Sequence, residues 1–156
     1  MPPPPFSVFL VDQREVVHRF LMSLLPPDDV DDAFQETFIK ALRAYPRLRD
    51  DANLRGWVLT IARRVAIDAT RARRRRPEPV AEPEPAPADG TPVVTDPALW
   101  AAVRALPPRQ RQAVALHYVG DLAYDDVARA MGCSTDAARR SAFEGVRRLR
   151  EVWDAG

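Results

Sequence analysis

The sequence predicts an all-α protein: two small helical domains joined by a flexible Pro/Ala/Glu linker. Three observations carry this. Apolar residues recur at three- and four-residue steps along most of the chain, the spacing of one face of a helix. Composition changes abruptly over 77–96, where Pro, Ala and Glu dominate and no basic residue occurs. Beyond that stretch, 121–150 has the punctuation of two helices separated by one tight turn. The expected division is therefore a domain at 1–76, a linker at 77–96 and a second domain at 97–156.

The first helix is expected over 8–25, with Phe9, Val16, Val17, Phe20, Leu21 and Leu24 turned inward. Pro26 and Pro27 end it, and Asp28 or Asp29 is expected to cap the next helix. From Val30 the apolar stripe is Val30, Ala33, Phe34, Thr37, Phe38, Ala41, Leu42 and Tyr45. The opposite face presents Asp32, Gln35, Glu36, Ile39 and Arg43. A solvated face would have that composition too, but an isoleucine among the polar residues suggests a protein contact. Pro46 stops the helix, 47–53 forms a short polar loop, and Asn53 caps a third helix running to about Arg74. Its inward positions are Leu54, Trp57, Val58, Ile61, Val65 and Ala69. Its end is arginine-rich: Arg71, Arg73, Arg74, Arg75 and Arg76. One or two arginines complement the negative end of a helix; the excess points to phosphate.

The linker residues favour an extended chain, about 3.1 Å per residue, so some twenty of them reach roughly 60 Å. A short helix follows over 97–105 around Leu99, Trp100 and Val103. Pro107 and Pro108 open the next, where first-turn amides need no partner within the helix. It buries Val114 and Leu116, with Tyr118 as a further candidate. Then come the two helices of 121–150. Leu122, Val127, Ala128 and Met131 form the apolar face of the first, and Gly132 supplies a left-handed stop. Ser134 or Thr135 caps the second, on which Arg139, Arg140, Arg147, Arg148 and Arg150 gather. Ala138, Ala142, Val146 and Leu149 are left for its inner face. This is the pattern of a helix-turn-helix, whose second helix enters the DNA major groove. An ordinary helical hairpin with a solvated basic face would share the pattern.

The chain of 156 residues is 46% apolar and 29% charged, which places it among globular proteins. Its net charge is only +1, but the charges are segregated. Arginine dominates 63–76 and 139–150, while acids cluster at 28–32 and 78–96. No apolar run approaches membrane-spanning length, and the Met-Pro-Pro-Pro-Pro start lacks the character of a signal peptide, so a cytoplasmic protein without a membrane partner is expected. A single cysteine excludes an internal disulfide. Cys133 in the turn reads as a small buried hydrophobe, and His18 and His117 have no ligand-like spacing, so no metal and no cofactor is expected. No nucleophile–base constellation stands out, so the chain is not expected to be an enzyme.

Two segments carry a resemblance. The run Asp31-Asp32-Ala33-Phe34-Gln35-Glu36-Thr37-Phe38, with Leu54-Arg55-Gly56-Trp57 and Ile61-Ala62 through Asp68 and the arginines beyond, resembles region 2 of bacterial sigma-70 family RNA polymerase sigma factors. Leu106-Pro107-Pro108-Arg109-Gln110-Arg111 before the helix-turn-helix is similar to region 4 of that family. Region 2, a linker and region 4 make up the layout of the extracytoplasmic-function (ECF) group.

The resemblance implies a promoter-specificity subunit that directs transcription initiation. In that reading Asp32, Gln35, Glu36, Ile39 and Arg43 dock on the β′ clamp helices of core polymerase. Arg49, Asp50, Asn53 and Arg64 face the melted −10 element, and Arg71, Arg73, Arg74 and Arg75 hold nearby duplex phosphates. Ser134, Thr135, Arg139, Arg140, Phe143 and Arg147 contact the −35 element, and the second domain also touches the β flap. An anti-sigma factor is a further partner the family admits. Arg64 stands where the family usually has Asn, and Glu144 where it usually has Arg, so base preference does not carry over. A core-independent helix-turn-helix regulator is the alternative, but it leaves Gln35, Glu36 and the polar loop without a role.

Overall fold

The computed structural model describes residues 2–50, 52–75 and 96–155. The linker reading at 77–96, apart from Asp96, and the phosphate role of Arg76 therefore fall outside the described residues. Within them every regular element is helical: α1 (Phe6–Leu24), α2 (Pro27–Ala44), α3 (Leu54–Arg75), α4 (Pro97–Arg104), α5 (Pro108–Val114), α6 (Tyr124–Met131) and α7 (Thr135–Ala155). A short 3-10 turn, Tyr45–Arg47, follows α2, and a π turn, Ala115–Val119, extends α5.

The first three helices pack pairwise around Phe9, Val17, Phe20 and Leu21 of α1, all essentially inaccessible to solvent. Five aromatic rings converge at one end: Phe9 sits 5.5 Å from Phe6, 6.2 Å from Phe38, 5.2 Å from Tyr45 and 5.7 Å from Trp57. Trp57 is thus a half-buried core residue, as its place in the apolar stripe predicts. The Tyr45 hydroxyl donates to the Pro4 carbonyl and ties the N-terminal prolines to this cluster. Asn53 caps α3, its Oδ1 accepting from the Gly56 amide at 3.1 Å.

Three local expectations are corrected. Neither Asp28 nor Asp29 caps α2. The helix begins at Pro27 with Pro26 at the cap position, and both acids lie in its first turn, where the positive end of the helix favours them. Leu42 is 54% exposed, because the buried strip stays with Thr37, Phe38 and Ala41 while Leu42 turns to the side of Ile39. Tyr118 is 58% exposed; the π turn rotates it away from the core that takes Leu116.

The two helical units of the sequence reading are present, and they are in contact. One buried cluster runs from α1, α2 and α3 into Ala113, Leu116, Leu122 and Val127. This explains why Leu59, Ala62 and Ala66, outside the predicted inward stripe of α3, are buried: a second face of α3 packs against α6. Polar contacts reinforce the seam. Arg63 donates through Nε to Gln112 Oε1 at 2.7 Å and through Nη1 to the Ala130 carbonyl at 3.1 Å. Arg104 Nη1 donates to the Met22 carbonyl at 2.9 Å. Both carbonyls lie in the last turn of a helix, where no intrahelical amide can reach them. Gly120 lets the halves approach. A Cβ there would stand 2.6 Å from Leu59 Cδ1 and 2.7 Å from the Leu116 carbonyl oxygen. Gly120→Ala should therefore cost about 1–3 kcal/mol by overpacking, read as a lower urea midpoint; an unchanged midpoint would mean that the seam does not contribute to stability.

Candidate nucleic-acid and polymerase interfaces

The helix-turn-helix forms as the sequence predicts. Val127, Ala128 and Met131 bury the inner face of α6, and Gly132 adopts the left-handed conformation at φ 67°. Ser134 supplies the cap of α7, its Oγ accepting from the Ala137 amide at 3.1 Å. Thr135 instead donates to Asp125 Oδ1 at 3.0 Å, which braces the turn against α6. Ala138 and Ala142 are fully buried, so the small side chains seat α7 close on α6. Cys133 is half-buried and packs at the rim of the same core.

Arg139, Arg140, Phe143 and Arg147 all lie on the exposed side of α7. Phe143 is 68% exposed, a large apolar ring beside guanidinium groups rather than in the core. Arg139 is oriented. Its guanidinium carbon lies 5.3 Å from the Tyr124 ring centroid, and its Nη1 is 3.6 Å from Asp136 Oδ1. Tyr124 in turn stacks on His117, with ring centroids 3.9 Å apart at an interplanar angle of 10°. His117 is held through Nδ1, 2.8 Å from the Leu122 carbonyl oxygen. This His117–Tyr124–Arg139 stack is absent from the sequence expectations. Its one sequence signal is an aromatic residue in the first turn of α6, a position that faces the start of α7. Arg140 makes no hydrogen bond or ion pair among the described residues. Arg147 pairs with Glu151 at 3.7 Å, an exposed contact of little energetic consequence.

In the first half, Arg49, Asp50, Asn53 and Arg64 are exposed, with Arg49 and Asp50 in the loop before α3. Asn53 has two partners: besides capping α3, its Nδ2 donates to Asp126 Oδ2 of α6 at 3.1 Å. Beside it Arg55 lies 3.7 Å from Asp121. One expected −10 reader, Asn53, and its neighbour Arg55 thus touch the other half. Arg71, Arg73, Arg74 and Arg75 are exposed along the end of α3. Arg73 is bound within the protein, 3.0 Å from Asp29 of α2, so that arginine serves structure as well as charge.

Asp32, Gln35, Glu36, Ile39 and Arg43 share one exposed face of α2. Ile39 is 45% exposed and Leu42 joins it one turn on, so the polar row carries an apolar pair. Lys40 and Glu36 pair across one turn at 3.6 Å. Among the described residues no cluster of His, Cys, Asp and Glu is arranged to hold a metal ion. No described helix is long and apolar enough to cross a membrane.

The Sigma-70 region 2 family model matches residues 10–76, and the Sigma-70 region 4 model matches residues 97–149. The chain belongs to the sigma-70 family. This sigma factor is 32% identical over 127 residues to the RNA polymerase sigma factor CarQ of Myxococcus xanthus, a match covering 78% of this chain and 73% of the relative. It is also 32% identical over 143 residues to the ECF sigma factor SigC of Mycobacterium tuberculosis, covering 85% of this chain and 75% of that one. Its fold superimposes on the sigma factor RpoE of Bartonella quintana, solved with the anti-sigma factor NepR, at a TM-score of 0.79 and 26% identity, covering 96% of both chains. CnrH, solved with the cytosolic domain of CnrY, shares the fold at a TM-score of 0.72 and 19% identity, over 96% of this chain and 88% of that one. It is an ECF-type sigma factor that directs transcription initiation, in a family that binds core RNA polymerase and promoter DNA.

Proposed function

We propose how the residues divide that work. Residues 1–76 form the domain that docks on core polymerase and opens the −10 element; 97–156 read the −35 element; 77–96 span the distance between them. Asp32, Gln35, Glu36, Ile39 and Arg43 meet the β′ clamp helices. Arg49, Asp50, Asn53 and Arg64 meet the unstacked −10 strand, and Arg71, Arg73, Arg74 and Arg75 the adjoining phosphates. Ser134 and Thr135 lie by phosphates at the start of α7, while Arg139, Arg140, Phe143 and Arg147 face the −35 groove and its backbone. The protein acts in the cytoplasm and contributes recognition, leaving the chemistry to the polymerase. An anti-sigma factor is a fitting partner, because the RpoE neighbour is held by one.

The observation that carries the docking assignment is Ile39, 45% exposed with Leu42 in an otherwise polar row on α2. Burying that apolar pair would give a polar face a reason to bind protein. The double substitution Gln35→Ala with Glu36→Lys should weaken binding to core by at least about tenfold, or ~1.4 kcal/mol. Helicity and melting temperature should hardly change, since both side chains are exposed. Fluorescence titration of labelled sigma with core measures it; unaltered affinity would sink the assignment. Gel shifts of promoter DNA, with and without core, test the larger claim. Specific binding that needs no core would favour the core-independent regulator instead.

A further inference from the structure

α3 and α5 come from different halves, and between them lies a cleft of about 310 Å³. Arg63, Arg71 and Arg74 line it from α3, and Arg109 and Arg111 from α5. Among the described residues no carboxylate lines it or pairs with any of the five. Burial lowers the proton affinity of both Arg63 and Arg111. Neighbouring positive charge lowers it further, from Arg64 and Arg109 for Arg63 and from Arg74 for Arg111.

Arg63 and Arg111 are held by neutral acceptors, Gln112 Oε1 with the Ala130 carbonyl and the Leu106 carbonyl respectively. Arg71, Arg74 and Arg109 make no hydrogen bond among the described residues and present exposed guanidinium forks from both walls. Like charges gathered where two units meet oppose that meeting. The apolar seam and the contacts around Asn53 hold the halves together despite it. An anion between the walls would turn the repulsion into attraction.

We propose that this cleft binds a compact oligophosphate, which bridges α3 and α5 and stabilises the closed arrangement of the two halves. Guanidinium forks match phosphate oxygens bidentately, and several forks within one small volume suit an anion with several charges. The volume is that of a small-molecule site, at the lower end of the usual ~300–1,000 Å³ range, rather than of a duplex or a folded partner. Occupancy would also withdraw Arg71 and Arg74 from the duplex phosphates assigned to them above, linking the ligand to promoter engagement. The binding claim itself does not depend on those assignments.

Calorimetric titration of the full chain with inorganic triphosphate tests the proposal, without promoter or polymerase. One saturable site is expected, together with a melting temperature that rises with triphosphate, because a ligand of the folded state stabilises it. Arg109→Gln, from the α5 wall, and Arg74→Gln, from the α3 wall, should each weaken binding about tenfold and remove the melting shift. Both side chains are exposed, so the variants should fold. Arg14→Gln, on the outer surface of α1, should bind like the parent. Absence of a saturable site would overturn the proposal. So would equal affinity in Arg109→Gln, an equal loss in Arg14→Gln, or sulfate at matched ionic strength binding as tightly as triphosphate.

Discussion

Phe9→Ala should destabilise the protein by about 3–5 kcal/mol, the usual cost of truncating a buried phenylalanine. Phe9 is 1% exposed and is ringed by Phe6, Phe38, Tyr45 and Trp57, with centroids from 5.2 to 6.2 Å away. Aromatic pairs in tilted or edge geometry add roughly 0.5–1.5 kcal/mol each beyond the area they bury, so several neighbours lose contact at once. For a small protein with a total stability of about 5–15 kcal/mol, that is a large fraction. Val11 on the same helix is 58% exposed, and Val11→Ala should stay within about 0.5 kcal/mol. Urea denaturation followed by circular dichroism compares them; equal midpoints for the two variants would show that the ring cluster does not carry the first half.

The same substitution has a functional consequence. Tyr45 directly follows α2 and Trp57 lies in the first turn of α3, so the rings around Phe9 hold the chain on both sides of the loop before α3. Loosening them should disorder the loop that carries Arg49, Asp50 and Asn53 before it unfolds the helices. Open-complex formation should therefore fall in Phe9→Ala even at temperatures where its helicity is intact. Packing and promoter opening meet in one cluster.

Much of this was legible in the sequence because local rules and tertiary packing agree there. Pro at helix starts, Asn53 and Ser134 as caps and Gly132 as a left-handed stop set the element boundaries by backbone chemistry alone. The stripes of α1 and α2 marked their buried faces because the large apolar side chains on them are the ones buried, although α1 also meets the second half. On α3 the burial extends beyond the stripe. Leu59, Ala62 and Ala66 are buried only because another unit packs there, and no single-helix periodicity can announce a partner that arrives from beyond residue 97. Gly145 is a similar case: a Cβ there would lie 2.6 Å from Val114 Cγ2, a close approach between α5 and α7 visible only once the helices are placed. Among the candidate site residues, the exposed arginines of α7 could be read from the helical wheel. The bond from Asn53 to Asp126 could not, since the partners are far apart in the chain and each also looks complete as a local helix-start residue.

That bond bears on how promoter reading begins. With Asn53 held by Asp126 and Arg55 beside Asp121, one proposed −10 residue and its neighbour engage the half proposed to read the −35 element. The seam must part if both are to reach separate DNA elements. Exposed polar contacts of this kind are individually weak, so binding to core and promoter can replace them readily. The apolar part of the seam, Leu59 against the region of Gly120 and Leu116, sets the larger share of the opening cost.

Replacing both Arg139 and Arg140 with Ala should abolish sequence preference at part of the −35 element while leaving the fold intact. Both lie one turn into α7, on its exposed side, close to the end that a recognition helix points at base edges. A bidentate arginine–guanine pair contributes about 1–3 kcal/mol of discrimination, so losing two should relax selectivity by one to several orders of magnitude. The contributions should differ. Arg139 is pre-positioned by the Tyr124 ring and Asp136, so less side-chain freedom is lost when it engages a base. Tyr124→Ala should accordingly weaken the same position of the DNA motif that Arg139→Ala weakens, and no other. Arg148 lies two turns further along, where a phosphate contact is the expected role. Arg148→Ala should lower affinity equally for all sequences and reduce the salt slope by about one. Glu144→Arg removes a carboxylate that repels phosphate, and should raise general affinity and steepen the salt dependence. Selection from randomised −35 sequences with reconstituted holoenzyme reads the Arg139, Arg140 and Tyr124 variants, and affinity titrations at several salt concentrations read Arg148→Ala and Glu144→Arg. If the parent and the Arg139/Arg140 double variant return the same motif, α7 does not read the −35 element through these side chains.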